Sequence, residues 1–416
     1  MAKENKVEIM APVGNFASLT AAVNAGADSV YFGVQSLNMR SLGAKNFTLE
    51  DLGEIVKICD EKDVKTYLTV NAVLYDEDLD LMKKIIDAAK KASISAVIAS
   101  DIAAIKYANS IGVEVHSSTQ LNISNIEAIK FYSKFTDVIV LARELNLEQI
   151  KNICEEIKKQ DIRGPKGKLV KIEIFIHGAL CVSISGKCYM SLALYNKSAN
   201  RGECLQACRR SYKVTDEQTG NELSIENKYV MSPKDLCCIS FLDQILKSGV
   251  SVLKIEGRAR SPEYVDTVVK TYREAVDSYY EGSYTEKKVK RWIKDLERVF
   301  NRGFWQGGYY LGKKLGEWSK GPGSKATMTK KFIGKAQNYF VKTKIAQFYM
   351  NNGPLKIGDT IMIIGPTTGV LKTKIKGMYV EEKPVDEAKQ GDEITIPIEK
   401  RVRESDELYL IEDKTL

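Results

Sequence analysis

The amino-acid sequence predicts an α/β protein: a (β/α)8 TIM-like barrel with a Cys-rich insertion after strand seven, then a small all-β, barrel-like C-terminal domain. Three observations lead there. Eight short β-rich runs alternate with amphipathic helical patterns, which is the spacing of repeated βαβ units. No GxGxxG follows any of these runs, which removes the doubly wound alternative and its phosphate-binding turn. After about residue 331 the pattern changes to short strands separated by turns.

The eight runs are 7–11, 29–33, 65–71, 96–100, 113–117, 137–142, 170–177 and 252–256. Between them the periodicity predicts helices over 15–25, 49–61, 77–91, 102–110, 123–131 and 146–160. The stretch 178–251 is far longer than one crossover needs and holds most of the cysteines, so it is expected to be a functional insertion. After the eighth strand a helix is predicted over 262–281, with Ser261 as N-cap, Pro262 at its first position and Gly282 ending it. A second covers 286–300 and stops before Asn301-Arg302-Gly303. The expected domains are therefore a barrel at 1–305, a basic linker at 306–330 and a small β domain at 331–416. In the last, Gly358-Asp359 and Gly391-Asp392 each mark a turn before a strand. The turn placement is similar to that of the small barrel of translation factors that bind tRNA. A stability or dimerisation module fits the same pattern.

Composition narrows the chemistry. Apolar residues make up 44% and charged residues 28% of the chain, enough to bury a core and too much for disorder. No apolar run approaches the length of a membrane span, and the charged start MAKENKVEIM has no apolar h-region. A cytoplasmic protein without a membrane partner is expected. The 62 basic residues against 54 acidic ones give a net charge of +8, which permits a nucleic-acid partner without requiring one. Two histidines, His116 and His177, rule out a His-rich metal site.

Cysteine placement is more telling. Cys59 and Cys154 fall on the apolar stripes of helices and read as core. The other six, Cys181, Cys188, Cys204, Cys208, Cys237 and Cys238, fall in one segment. Gathered thiolates suit zinc or iron–sulfur, although the spacing fits neither the C-x2-C zinc knuckle nor the ferredoxin run. Structural thiols and redox-active thiols remain open on spacing alone.

In a barrel of this kind the active site lies at the C-terminal ends of the strands. Polar residues fall there at Asn71, at His116 through Gln120, at Asn122, at Arg143-Glu144, at Glu173 and His177, and at Lys254, Glu256 and Arg258. Lys254 and Glu256 share a parity, as do Glu173 and His177 if strand seven is regular. Charge on a barrel strand is costly unless paired, so internal ion pairs are one reading. A polar cavity at one rim is the other, and its cations Arg40, Arg143, Lys254 and Arg258 suit a small anionic carboxylate. HExxH and GxSxG are both missing, and no third residue completes a triad with His177 and Cys181. Outside the barrel, Arg201, Arg209, Arg210 and Lys213 surround Cys204 and Cys208. Residues 311–335 hold seven lysines against Glu317. Such a run either tracks a phosphate backbone or is simply solvated.

The segment EIFIHGALCVSISGKCYMS, 173–191, resembles the signature of the family called peptidase U32. RGECLQACR at 201–209, MSPKDLC at 231–237 and LKIEGRARSPEYV at 253–265 resemble its further blocks. So do APVGN, GADSVYFG, HSSTQLNISN and LAREL in the first half, and the tail is similar to a β domain that many members carry. The family name records an early claim of collagenase activity. Its better-understood members are cluster-containing hydroxylation factors acting on tRNA uridine-34, on a ribosomal RNA cytidine, or in oxygen-independent ubiquinone synthesis. The resemblance implies a 4Fe–4S cluster on Cys181, Cys188, Cys204 and Cys237, with the role of Cys208 left open. It also implies 5-hydroxylation of the wobble uridine in the tRNA anticodon loop, with prephenate as hydroxyl source, and a paralogous subunit or homodimer, since some members work as pairs. The site residues expected beside the cluster are His116, Arg143, His177, Lys254 and Glu256. A protease and a non-catalytic, cluster-stabilised RNA-binding or assembly factor are the alternatives.

Overall fold

The computed structural model describes residues 7–223, 229, 231–312 and 317–414. Eight parallel strands close on themselves: β1 Glu8–Pro12, β2 Ser29–Phe32, β3 Lys65–Val70, β4 Ala96–Ala99, β5 Val115–Ser117, β6 Val138–Val140, β7 Lys171–Gly178 and β8 Val252–Ile255. β8 pairs with both β1 and β7, which shuts the barrel. Every strand expected from the sequence is present. The helices between them follow from their apolar stripes; Leu79–Lys91, for example, buries Met82, Ile85, Ile86 and Ala89 on one face. Asn15, Asn125 and Asn146 cap their helices with side-chain oxygens. Ser261 precedes its helix as expected, but its hydroxyl makes no capping bond.

The Cys-rich stretch after β7 returns to the barrel. It contains a helix at Met190–Tyr195, two single turns at Ala199–Arg201 and Ala207–Arg209, and a strand at Asp235–Cys237 running antiparallel to the end of β7. A further short strand, Phe304–Gln306, extends that edge. The helix Pro262–Tyr280 then buries Tyr264, Val268, Tyr272 and Val276, four residues apart each time, against the barrel wall.

The stretch expected to be a linker is packed instead. Tyr310 is buried, and its Oη donates to the carbonyl of Phe175 at 2.6 Å. Lys234 pairs with Glu317 at 2.9 Å, and the Ser319 amide donates to the Ser232 carbonyl. Aromatic side chains fix this segment, which its Gly, Ser and Lys content concealed. Of its basic run, Lys313 and Lys314 lie outside the described residues.

The C-terminal domain is an antiparallel sheet of eight strands around Ile333, Phe348, Ile363, Ile394 and Leu408. It docks on the barrel's outer helices. Met362, Ile364 and Ile411 pack with Ala17 of the helix Phe16–Asn24, and Thr20 Oγ1 donates to the Pro366 carbonyl at 2.6 Å. Gly369 is needed there: its φ is +69°, and a Cβ would lie 3.1 Å from the Ala21 amide nitrogen. Lys330–Glu263 and Arg298–Asp413 are ion pairs across the same junction.

Candidate active site

The C-terminal ends of the strands and the Cys-rich segment enclose a cavity of about 230 Å³. Its floor is the barrel lumen. There Lys254 Nζ donates to Glu173 Oε1 at 2.6 Å, and both side chains are buried. The ammonium also lies 4.5 Å from the centre of the Tyr31 ring. Burying such a pair is tolerable only with close contact, and one oxygen, Glu173 Oε2, still has no partner.

Above this floor sits a cationic ring. Arg258 is buried, donating to Thr69 Oγ1 at 2.7 Å and Asn38 Oδ1 at 3.1 Å; burial lowers its pKa to about 10. Its fit depends on Gly33, where a Cβ would come within 2.6 Å of the guanidinium. Arg40 Nη2 donates to Glu256 Oε1 at 2.8 Å, and Tyr31 Oη donates to the other oxygen at 3.2 Å. Burial opposes ionisation of Glu256, but Arg40, Arg143 and Arg258 outweigh it and bring its pKa to about 2. Arg143 lies 4.0 Å over the Phe175 ring and donates to the Ala179 carbonyl, while its Nε is buried without a partner. Arg209, Arg260 and Arg302 also reach the lining, which gives seven cations beside Glu256; of these Lys254 is paired with Glu173 beneath the floor and Arg302 with Asp235 at 3.3 Å. Asn71 completes the wall, donating to Ser118 Oγ at 3.1 Å and Gln120 Oε1 at 3.2 Å.

The roof carries four thiols: Cys181, Cys188, Cys204 and Cys208. Cys181 is exposed and the others half-buried. Burial raises the pKa of Cys208, Arg209 opposes this, and Cys181, Cys204 and Cys188 push it up further. Among the described residues no three His, Cys, Asp or Glu side chains converge on the position of a single metal ion. The thiols instead surround the cavity.

Of the residues expected at the site, Arg143, Lys254 and Glu256 meet with Cys181, Cys188 and Cys204 in this cavity. Three others do not. Cys237 is wholly buried against Tyr272 in the strand Asp235–Cys237, and burial pushes its thiol up to about 12. The thiol that joins the other three is Cys208. His177 lies outside the barrel lumen among Tyr264, Tyr272 and Phe304, its Nδ1 3.4 Å from Tyr272 Oη. Burial lowers its pKa to about 3 and keeps it neutral. The cause of its placement is a register shift: Lys254 pairs with Phe175, but Ile255 pairs with His177. The extra residue, Ile176, turns His177 away from the face shared by Glu173 and Phe175. His116 lies at the opposite end of the barrel, where a second cavity holds it with Glu114, Tyr67, Glu8 and Lys65. Its Nε2 is 3.4 Å from Glu114, and its ring is 4.5 Å from that of Tyr67. Ser118, two residues on, is what β5 sends to the mouth. Sequence reasoning missed Tyr31, Arg260 and Arg302 as lining residues. The run KIEGRAR, in which every second residue from Lys254 to Arg260 is charged, was the signal available for Arg260.

Fold and site together define a (β/α)8-barrel protein whose mouth is cationic and roofed by a thiol-bearing insertion. The family model of peptidase family U32 matches residues 14–320, and the chain belongs to that family. It is 57% identical over 405 residues to a protein named Collagenase from Porphyromonas gingivalis, covering 97% of this chain and 98% of that one. It is 40% identical over 411 residues to "Uncharacterized protease MJ0090" of Methanocaldococcus jannaschii, covering 98% of each. It is 33% identical over 373 residues to "tRNA hydroxylation protein P1" of Bacillus subtilis, covering 87% of this chain and 84% of that one. These relatives are named for either proteolysis or RNA hydroxylation. No helix among the described residues is long and apolar enough to cross a membrane.

Proposed function

We propose that this chain is a tRNA-modifying enzyme that hydroxylates C5 of wobble uridine 34, using a 4Fe–4S cluster and prephenate as hydroxyl source. The observation that carries the reading is the cavity itself: four thiols and an excess of cations line it. The donor set fits a cluster, because four thiols around a cavity suit the corners of a polynuclear centre better than one ion. Cys181, Cys188, Cys204 and Cys208 would hold it, and when bound it supplies electron-transfer or Lewis-acid chemistry at the roof. The chain's own residues do the rest. Arg143, with its unpartnered Nε, and the Arg258–Lys254 floor offer donors to a dicarboxylate. Glu256 stays ionised and holds Arg40 in place. A wobble base already stands in an unpaired loop, so presenting it to a barrel mouth costs less than flipping a base from a duplex.

The collagenase-named relative favours a second reading, peptidase. A thiol protease needs an imidazole beside the thiol. The chain has two histidines, and both lie outside the thiol-lined cavity. The test is nucleoside mass spectrometry of tRNA from cells lacking this gene and any paralogue, with complementation by the wild type. Loss of 5-hydroxyuridine-derived nucleosides, restored by the gene, supports hydroxylation. Unchanged wobble modification, with gelatin cleaved by the anaerobically purified protein, would replace it with the peptidase reading.

A further inference from the structure

We propose that the outer rim of the Cys-rich segment is a stacking platform for the unpaired nucleotides that flank the base in the cavity. The inference rests on the RNA reading above and adds the surface that holds the strand. Tyr189 is 71% exposed although Cys188 and Met190 on either side line the cavity, so the ring stands at the cavity's edge. Two further exposed rings carry arginines. The Arg201 guanidinium lies 3.9 Å from the centre of the Tyr75 ring, held there by Asp78 at 2.7 Å. Arg210 lies 5.0 Å from the Tyr195 ring centre and donates to its hydroxyl. Val73 and Asn200 join the Tyr75 loop to the Cys-rich segment through a backbone hydrogen bond.

Exposed aromatic rings next to a cavity invite either a protein or a strand of bases, and charge decides between them. Residues 181–213 contain six Lys or Arg and one acid, Glu203, which Lys197 pairs at 3.1 Å. Protein interfaces are depleted in lysine at their centres, whereas a polyanion is drawn to such a segment. Base stacking on tyrosine and arginine faces is tolerant of sequence, which suits nucleotides on either side of one fixed base.

The test uses full-length, anaerobically purified protein and a fluorescent, unpaired anticodon-loop RNA, with affinity measured at two salt concentrations. Tyr189→Ala should weaken binding about tenfold, and Tyr189→Trp should restore it. Because stacking is not an ionic contact, Tyr189→Ala should leave the salt slope unchanged, while Arg210→Ala should lower it by about 1. Circular dichroism and iron content check that each variant remains folded and loaded. Wild-type affinity retained by Tyr189→Ala overturns the platform and leaves the RNA reading intact. Absence of RNA binding by the wild-type protein overturns both. Loss of self-association in Tyr189→Ala, with RNA affinity unchanged, would make the rim an interface between copies and also overturn the platform.

Discussion

Exchanging cysteines at 208 and 237 tests which thiols serve the cavity. A thiol must ionise to bind metal. At Cys237 full burial pushes the thiol up to about 12, which disfavours the thiolate in the metal-free protein. Cys237 is also absent from the cavity lining and sits in the strand paired with the end of β7. Cys208 is raised in the same direction, but it already lines the cavity beside Cys181, Cys188 and Cys204, with Arg209 favouring its thiolate. Each of Cys181→Ser, Cys188→Ser, Cys204→Ser and Cys208→Ser should therefore lose most of the about four iron atoms per chain expected of a cubane centre. Cys237→Ser should keep its iron and the brown colour, and lose about 1–3 kcal/mol of stability for a buried hydroxyl. The assay is iron content and visible absorbance after anaerobic purification, with thermal melting alongside. A folded Cys208→Ser variant with full iron, and a folded Cys237→Ser variant without any, would refute the assignment.

Other outcomes follow from the same geometry. Arg143→Ala should leave tRNA affinity within about twofold and abolish modification, since this side chain faces the cavity rather than the rim; a large loss of tRNA affinity would contradict that placement. His177→Phe should retain modification, because the ring is neutral and sits beneath the helix Pro262–Tyr280; a folded but inactive variant would return it to the site. Glu256 has a depressed pKa, so its contribution to stability is full above about 4.5 and is lost as pH falls towards about 2. The stability difference between wild type and Glu256→Gln should shrink over that window, and a difference independent of pH would remove the Arg40–Glu256 account. Glu173→Gln strands Lys254 in the lumen and should cost about 3–5 kcal/mol, with partial rescue by Lys254→Met, both read by denaturant unfolding.

The barrel was legible in the sequence because its signals are local. Each strand is a short β-rich run and each helix an apolar stripe, so all eight units could be read without knowing their neighbours. Lys254 and Glu256 were legible for the same reason, since alternation along β8 is a two-residue rule. What the tertiary structure decided lies where a local rule meets a neighbouring strand. One extra residue in β7 reversed the parity of His177, and only the pairing with β8 reveals it. His116 faces the lumen as its strand dictates, but a strand's height in the barrel is set by its register with β4 and β6, which places it in the lower cavity. That Cys208 lines the cavity and Cys237 does not depends on how the stretch after β7 folds back, with one turn over the mouth and one strand against the wall. Sequence alone determined that cysteines and cations accompany this barrel. Burial and register, which are properties of contacts between distant residues, decided which of them share a cavity.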